Sequence, residues 1–215
     1  MKMNTSLYIL LCSLTLLLAN CTTQPKNYDK FRAANPKSIL VLPPKNHSTD
    51  VRGTYGYLST ITQPIAEKGF YIFPVAVVDK MMKENGLPSA DEMHQVSLKK
   101  IKEIINPDAV LYLNLEQYGT KFVLLNSQTI VTVSGRLVST ATGETLWEGR
   151  VEQYGSSSSN SNNSLIGMVV SAAVKQAVDS STDYAHDVSK IANQVLFMTE
   201  GQGLLNGPYK KDIQK

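Results

Sequence analysis

The sequence predicts a mixed α+β (mixed α/β) domain: a central sheet of about five strands with helices packed on it, followed by a C-terminal helical segment. Three observations carry that expectation. A compact apolar run, Ser38-Ile39-Leu40-Val41-Leu42, is bracketed by Pro36 and Pro43-Pro44, as a buried strand would be. Apolar residues then recur at intervals of three and four through 54–68, 77–84 and 97–106. Beyond Asn106-Pro107-Asp108 the period changes to two. Strand–helix–strand followed by an antiparallel meander points to an α+β or mixed α/β domain.

The elements follow in order. After the first strand, 45–53 is polar and turn-rich. In 54–68 the spacing of Tyr57, Leu58, Ile61, Ile65 and Ala66 predicts a helix that Pro64 kinks or breaks and Gly69 ends. Residues 70–75 read as a second strand interrupted by Pro74, and 77–84 as a short helix stopped by Asn85-Gly86. In 97–106, Leu98, Ile101, Ile104 and Ile105 form one face, and Lys99, Lys100, Lys102 and Glu103 the other. Residues 109–118 form a largely apolar strand, 129–139 an alternating one, and Ala141-Thr142-Gly143-Glu144 a hairpin turn from which 145–152 pairs back. Residues 155–164 are almost wholly Ser and Asn, a composition that cannot bury surface and reads as a flexible loop. Helices are expected over 165–174 and 183–197, and 201–215 is a turn-rich tail.

The amino terminus reads as a signal peptide, 1–20. Met1-Lys2 supplies a short positive region, and 7–19 supplies an apolar run broken only by Ser13 and Thr15. That run is too short to span a bilayer, which takes about 20 apolar residues. Leu18-Ala19-Asn20-Cys21 resembles the lipobox of bacterial lipoproteins, in which the cysteine thiol receives a diacylglyceryl group and its freed amine a third acyl chain. Asn20 departs from the usual Gly, Ala or Ser. Ordinary signal-peptide cleavage, which wants an A-x-A-like arrangement, and a buried helix over 7–19 are the competing readings and fit less well. The cysteine count agrees. Cys12 leaves with the signal peptide, so no pair remains for a disulfide, and lipidation accounts for Cys21. Residues 21–35, polar and aperiodic, then form a lipidated tether for a single domain over 36–200.

Charge points to no particular partner: 21 Lys+Arg against 18 Asp+Glu give a net +3. The basic residues are scattered, with Lys99-Lys100 and Lys210-Lys211 the only adjacent pairs, so no nucleic-acid patch is expected. His47, His94 and His186 have no metal-ligand spacing and read as surface histidines, and neither a metal nor a cofactor is expected. Gly155-Ser156-Ser157-Ser158-Ser159 lacks the second glycine of a nucleophile elbow, and no phosphate loop is present. No catalytic residue is assigned. Trp147, Tyr55 and Tyr57 read as core and turn packing.

The segment 165–174 is apolar nearly all round and must be buried on every side. Two readings stand: a core helix of the domain, or an interface in which Leu165, Ile166, Met168, Val169, Ala172 and Ala173 pack on a partner or a second copy.

Several blocks, in order, resemble a family of proteobacterial lipoproteins of unknown function that includes a neisserial surface lipoprotein studied as a vaccine candidate. They are Phe31-Arg32-Ala33-Ala34-Asn35-Pro36-Lys37-Ser38-Ile39-Leu40-Val41-Leu42-Pro43-Pro44, Gly69-Phe70-Tyr71-Ile72-Phe73-Pro74-Val75-Ala76-Val77-Val78-Asp79, residues 109–119, residues 137–149 with Trp147, and Gly203-Leu204-Leu205-Asn206-Gly207-Pro208-Tyr209. The resemblance spans about residues 28–209. It implies an α/β domain similar to the amino-terminal domain of the Tol–Pal translocation protein and to parts of curli-secretion-type lipoproteins. It further implies a non-enzymatic protein of the cell outer membrane, lipid-anchored at Cys21 on the periplasmic or surface face. Thr22 in place of the Asp retention signal agrees with that delivery. The implied partners are a second copy, as a homodimer, or other envelope lipoproteins such as a relative of the curli secretion channel, in a complex supporting secretion or transport. The alternative is a periplasmic lipoprotein activator regulating a cell-wall synthase or an ABC-type exporter. An enzyme acting on envelope polymers fits least.

Overall fold

A computed structural model describes residues 26–123, 126–156 and 184–210, without the side chains of 121–127 and 156. The expected signal peptide, Cys21, residues 157–164 of the Ser/Asn loop, the segment from Leu165 to Ala173 and residues 211–215 lie outside the described residues.

The elements run α1 (Asp29–Ala34), β1 (Ser38–Val41), β2 (Lys45–Asn46), α2 (Gly53–Leu58), α3 (Thr62–Glu67), β3 (Tyr71–Ile72), α4 (Val75–Glu84), α5 (Ala90–Gln95), α6 (Leu98–Ile104), β4 (Ala109–Val123), β5 (Asn126–Ser139), β6 (Thr145–Ser156) and α7 (Tyr184–Met198). They build the expected mixed α+β domain around a six-stranded sheet of order β3-β1-β4-β5-β6, with β2 also on β4. β1, β2 and β3 lie in parallel pairings, because helices cross between the partners, whereas the tight turn at Gly143 (φ +74°) makes β5 and β6 antiparallel.

Alternation along the strands sorts the core into two layers. Ile39, Val41, Ala109, Leu111, Leu113 and Leu115 face α2, α3 and α7, where Tyr57, Ile61, Ile65, Val188, Ala192 and Phe197 meet them. Leu40, Leu42 and Val110 face the other way, onto Val78, Met82, Met93 and Ile101 of α4, α5 and α6. The crossovers out to β3 and back to β4 travel in opposite directions, so connections of one hand place their helices on opposite faces. A register shift between Leu115 and Gln117 makes Glu116 the extra residue and flips the strand's parity, so that Tyr118 continues the inward row. Helix α7 covers β4, β5 and β6 on the first face only. The second face beyond Tyr112 keeps an uncovered polar row: Asn114, Ser134, Arg136, Glu148 and Arg150.

Several expectations are corrected. The tether does not reach residue 35: Tyr28 and Phe31 are 6% and 3% exposed, and α1 belongs to the core. Two aromatic anchors suffice to dock a helix that is otherwise polar, since burying one large apolar side chain stabilises by about 1.5–3 kcal/mol. The tail is also part of the domain as far as residue 210. Leu204 is buried, and the amides of Gly207 and Tyr209 donate to the carbonyls of Lys68 and Gly69 at 2.7 and 3.0 Å. Residues 54–68 break into two helices as one of the expected outcomes, but not at Pro64. The break falls at 59–61, which leaves Pro64 in the first turn of α3, where an amide is not required. The strand expected at 70–75 keeps only Tyr71–Ile72, because Pro74 precedes the first residue of α4. Gly155 and Ser156, expected in the loop, are the last residues of β6. Helix α5 was not anticipated.

Candidate interaction surface

Where the chain enters the domain it is pinned to the end of the sheet. Lys26 reaches the Glu148 carbonyl of β6 and lies over the Trp147 ring, 5.1 Å from its centroid. Burial against these groups pushes its ammonium down from the usual lysine range. The Tyr28 hydroxyl donates to the carbonyl of Gly203 at 2.6 Å, and Phe31 packs edge-on against Phe70 at 6.1 Å. Trp147 is itself buried and donates to the Gln202 carbonyl at 2.9 Å, so the leash, the edge strand and the C-terminal loop close on one another.

Concavities open on the opposite face. Between α4, α5 and α6 is an apolar groove of about 450 Å³ lined by Met81, Leu87, Val96, Ile101, Ile104 and Ile105, with Ile104 63% exposed. Beside it, where α5 and α6 stop short of the sheet's end, lies a polar cavity of about 330 Å³. Lys45, His94, Tyr112, Asn114 and Arg136 line it. Strand pairing assembles the group: Lys45 is opposite Asn114 across β2 and β4, and Tyr112 is opposite Arg136 across β4 and β5. His94 comes from α5, whose N-cap Ser89 and third residue Glu92 form a reciprocal capping box.

His94 is half-buried rather than the surface histidine expected. Its Nε2 lies 2.9 Å from the Pro43 carbonyl oxygen, and its ring stands edge-on to Tyr112 at 5.3 Å. A carbonyl only accepts, so Nε2 carries the proton. Burial pushes the imidazole below its ordinary range and favours the neutral form. The Arg136 guanidinium lies over the Tyr112 ring, 5.4 Å from its centroid. A second groove, sharing Asn114 and Arg136, continues the cavity toward Glu148 and Arg150. There Arg150 grips Glu116 through Nε and Nη2 at 3.1 and 2.9 Å and holds that carboxyl below its usual range.

One triad-like arrangement occurs and does not set up catalysis. His186 Nε2 is 3.1 Å from the Ser59 hydroxyl, with Asp187 beside it. Ser59 already donates its proton to the Gly56 carbonyl at 2.9 Å, so the histidine donates to it rather than accepting. Asp187 sits 3.9 Å from Nδ1, beyond hydrogen-bond reach, and pairs with Lys190 at 3.0 Å. Among the described residues no group of three or more His, Cys, Asp or Glu could hold a metal ion. No helix among them is long and apolar enough to cross a membrane.

Trp147 and Tyr57 occupy the core as expected, whereas Tyr55 is 49% exposed and is held by Lys83, whose Nζ donates to its hydroxyl at 2.6 Å. The expected lipidation site, Cys21, and the candidate interface residues Leu165, Ile166, Met168, Val169, Ala172 and Ala173 lie outside the described residues. The sequence carries no signal for the polar cavity, because Lys45 and Arg136 are brought together by the register of the sheet and His94 by the packing of α5.

A mixed sheet with helices on both faces, carrying an apolar groove and a polar cavity on one of them, defines a class: a mixed α+β domain. Residues 26–209 match the family model described as "Putative lipoprotein GNA1162-like". A relative from Neisseria meningitidis serogroup B, "Putative lipoprotein NMB1124/NMB1162", is 41% identical over 197 residues, covering 90% of this chain and 91% of its own. The crystal structure of lipoprotein GNA1162 from Neisseria meningitidis superposes with a TM-score of 0.56 at 44% identity, covering 67% of this chain and 100% of that one. A fainter likeness, TM-score 0.42 at 16% identity over 59% of this chain and 76% of the other, is to the PelC dodecamer from Paraburkholderia phytofirmans. The chain belongs to the GNA1162-like lipoprotein family and is a membrane-anchored envelope protein.

Proposed function

We propose that this chain is a non-enzymatic outer-membrane lipoprotein, anchored through lipid on Cys21, that works as a component of an envelope complex supporting secretion or transport. The length of the leash carries the reading. Tyr28 is already core, so only 22–27 separate the anchor cysteine from the folded domain. A fully extended chain spans at most ~3.6 Å per residue, so the domain entrance stays within ~25 Å of the lipid surface. A domain held so close is placed to meet neighbours in or on the same membrane. The apolar groove between α4, α5 and α6, with Ile104 exposed, supports a protein partner over a soluble substrate. The segment with Leu165 and Met168 is the proposed self-association element.

Crosslinking in intact envelopes followed by affinity capture of the full-length chain tests this. Recovery of a second copy or of other envelope lipoproteins at a stoichiometric level supports the reading. Recovery of a cell-wall synthase or an exporter alone would replace it with a regulatory role. Recovery of monomer alone would contradict the assembly.

A further inference from the structure

We infer that the polar cavity between β2, β4, β5 and α5 is a binding site for an oxyanion, a carboxylate or phosphate group, with Arg136 as its principal ligand. The inference rests on the cavity alone and is independent of the role proposed above.

The charge balance of the lining is the first observation. Two cations, Lys45 and Arg136, open into the cavity, and no Asp or Glu lines it. Lys45 is paired at 3.3 Å with Asp91, which lies outside the lining with its side chain 68% exposed, so that carboxylate stays largely in water. Arg136 forms no ion pair among the described residues. Its cross-strand neighbour Glu148 lines the adjoining groove instead.

The second observation is geometric. The Arg136 guanidinium lies over the Tyr112 ring, 5.4 Å from its centroid, and forms no ion pair among the described residues, so its N–H donors are available to meet a carboxylate or phosphate through two parallel hydrogen bonds. Asn114 lies on the same sheet face and contributes an amide donor. At the rim, Gly143 leaves room: a Cβ there would meet only Leu98, at 3.9 Å. Arg136 is exposed to solvent, and α5 supplies a wall beside it while Lys45 brings a second cation to the same cavity.

His94 provides a built-in reporter. It faces Lys45, Arg136 and Asp91, and both cations push its imidazole toward the neutral form. A bound oxyanion offsets them and moves its titration upward.

The test is a nuclear magnetic resonance titration of the full-length chain in maltoside micelles. Inorganic phosphate and, separately, acetate are added against chloride at constant ionic strength. The expected result is saturable shifts confined to the amides of Tyr112, Asn114 and Arg136 and the His94 ring, with the His94 titration moved to higher pH at saturation. Saturation by phosphate alone assigns a phosphate ligand, and by acetate alone a carboxylate ligand. Arg136→Gln is expected to abolish the saturable component, and Arg136→Lys, which keeps the charge but not the fork, to weaken it severalfold. Shifts that never saturate, that spread evenly over surface lysines, or that persist with unchanged affinity in both variants would overturn the assignment.

Discussion

The hydroxyl of Tyr28 donates to the backbone carbonyl of Gly203 at 2.6 Å, joining the first turn of the domain to a loop 175 positions later in the chain. This contact decides where the tether ends and the domain begins. Phe31→Ala is accordingly expected to cost about 3–5 kcal/mol, a core truncation rather than a linker change. Tyr28→Phe should cost about 1 kcal/mol through the lost buried hydrogen bond. Urea unfolding of chains beginning at residue 26 and at residue 36 checks the boundary. The first should unfold with the stability of the mature protein, and the second should be markedly weaker.

Beneath α7, Tyr57 donates to the Asn193 side-chain oxygen, Asn193 donates to Thr60 at 2.8 Å, and Thr60 donates to the Tyr57 carbonyl at 2.7 Å. Tyr57 and Asn193 are fully buried, and burial pushes the phenol well above its usual range. Asn193→Ala should cost about 1–3 kcal/mol, because it strands the Tyr57 donor. In a double-mutant cycle with Tyr57→Phe the two losses should not add, since the second substitution removes the group that the first left unsatisfied.

His94 is expected to make the fold sensitive to mild acid. Its folded titration lies below the unfolded value of about 6.5, so between the two the unfolded chain binds more protons. Stability is therefore full above the unfolded value and falls as pH drops through that window. His94→Gln should flatten this part of a stability–pH profile measured by thermal unfolding. The fall at lower pH, where Asp50 and Glu116 lose the charges that Arg52 and Arg150 stabilise, should remain.

Gly69 has φ +88°, and a Cβ there would collide with the backbone of Lys210. Gly69→Ala should thus destabilise by at least about 1 kcal/mol in a two-state melt, through both the left-handed backbone and the displaced C-terminal loop. The same change at Gly86, whose φ is +83° but whose surroundings are open, should lack the second penalty.

Much of this fold was legible where the pattern is long. The apolar run at Ile39–Val41, the row Ala109, Leu111, Leu113 and Leu115, and the face of α7 each repeat often enough to declare their period. Short elements defeat that logic. Helix α1 shows two aromatics in a polar background, and α5 has six residues, although Ser89 and Glu92 spelled a capping box that would have located it. Loop packing is equally silent: nothing in Gly203-Leu204 announces that Tyr28 and Trp147 close on its neighbourhood. The polar cavity is the extreme case, since two helices, three strands and the turn at Gly143 supply its lining.

The account stands most directly on the chemistry of Cys21, and mass spectrometry of the tryptic peptide 21–26 from protein extracted with envelope membranes reads it. The peptide is expected to begin at Cys21 and to carry the mass of a diacylglyceryl group with a third acyl chain, and Cys21→Ala is expected to leave the precursor uncut. An unmodified Cys21, or a mature chain starting elsewhere, would contradict the account.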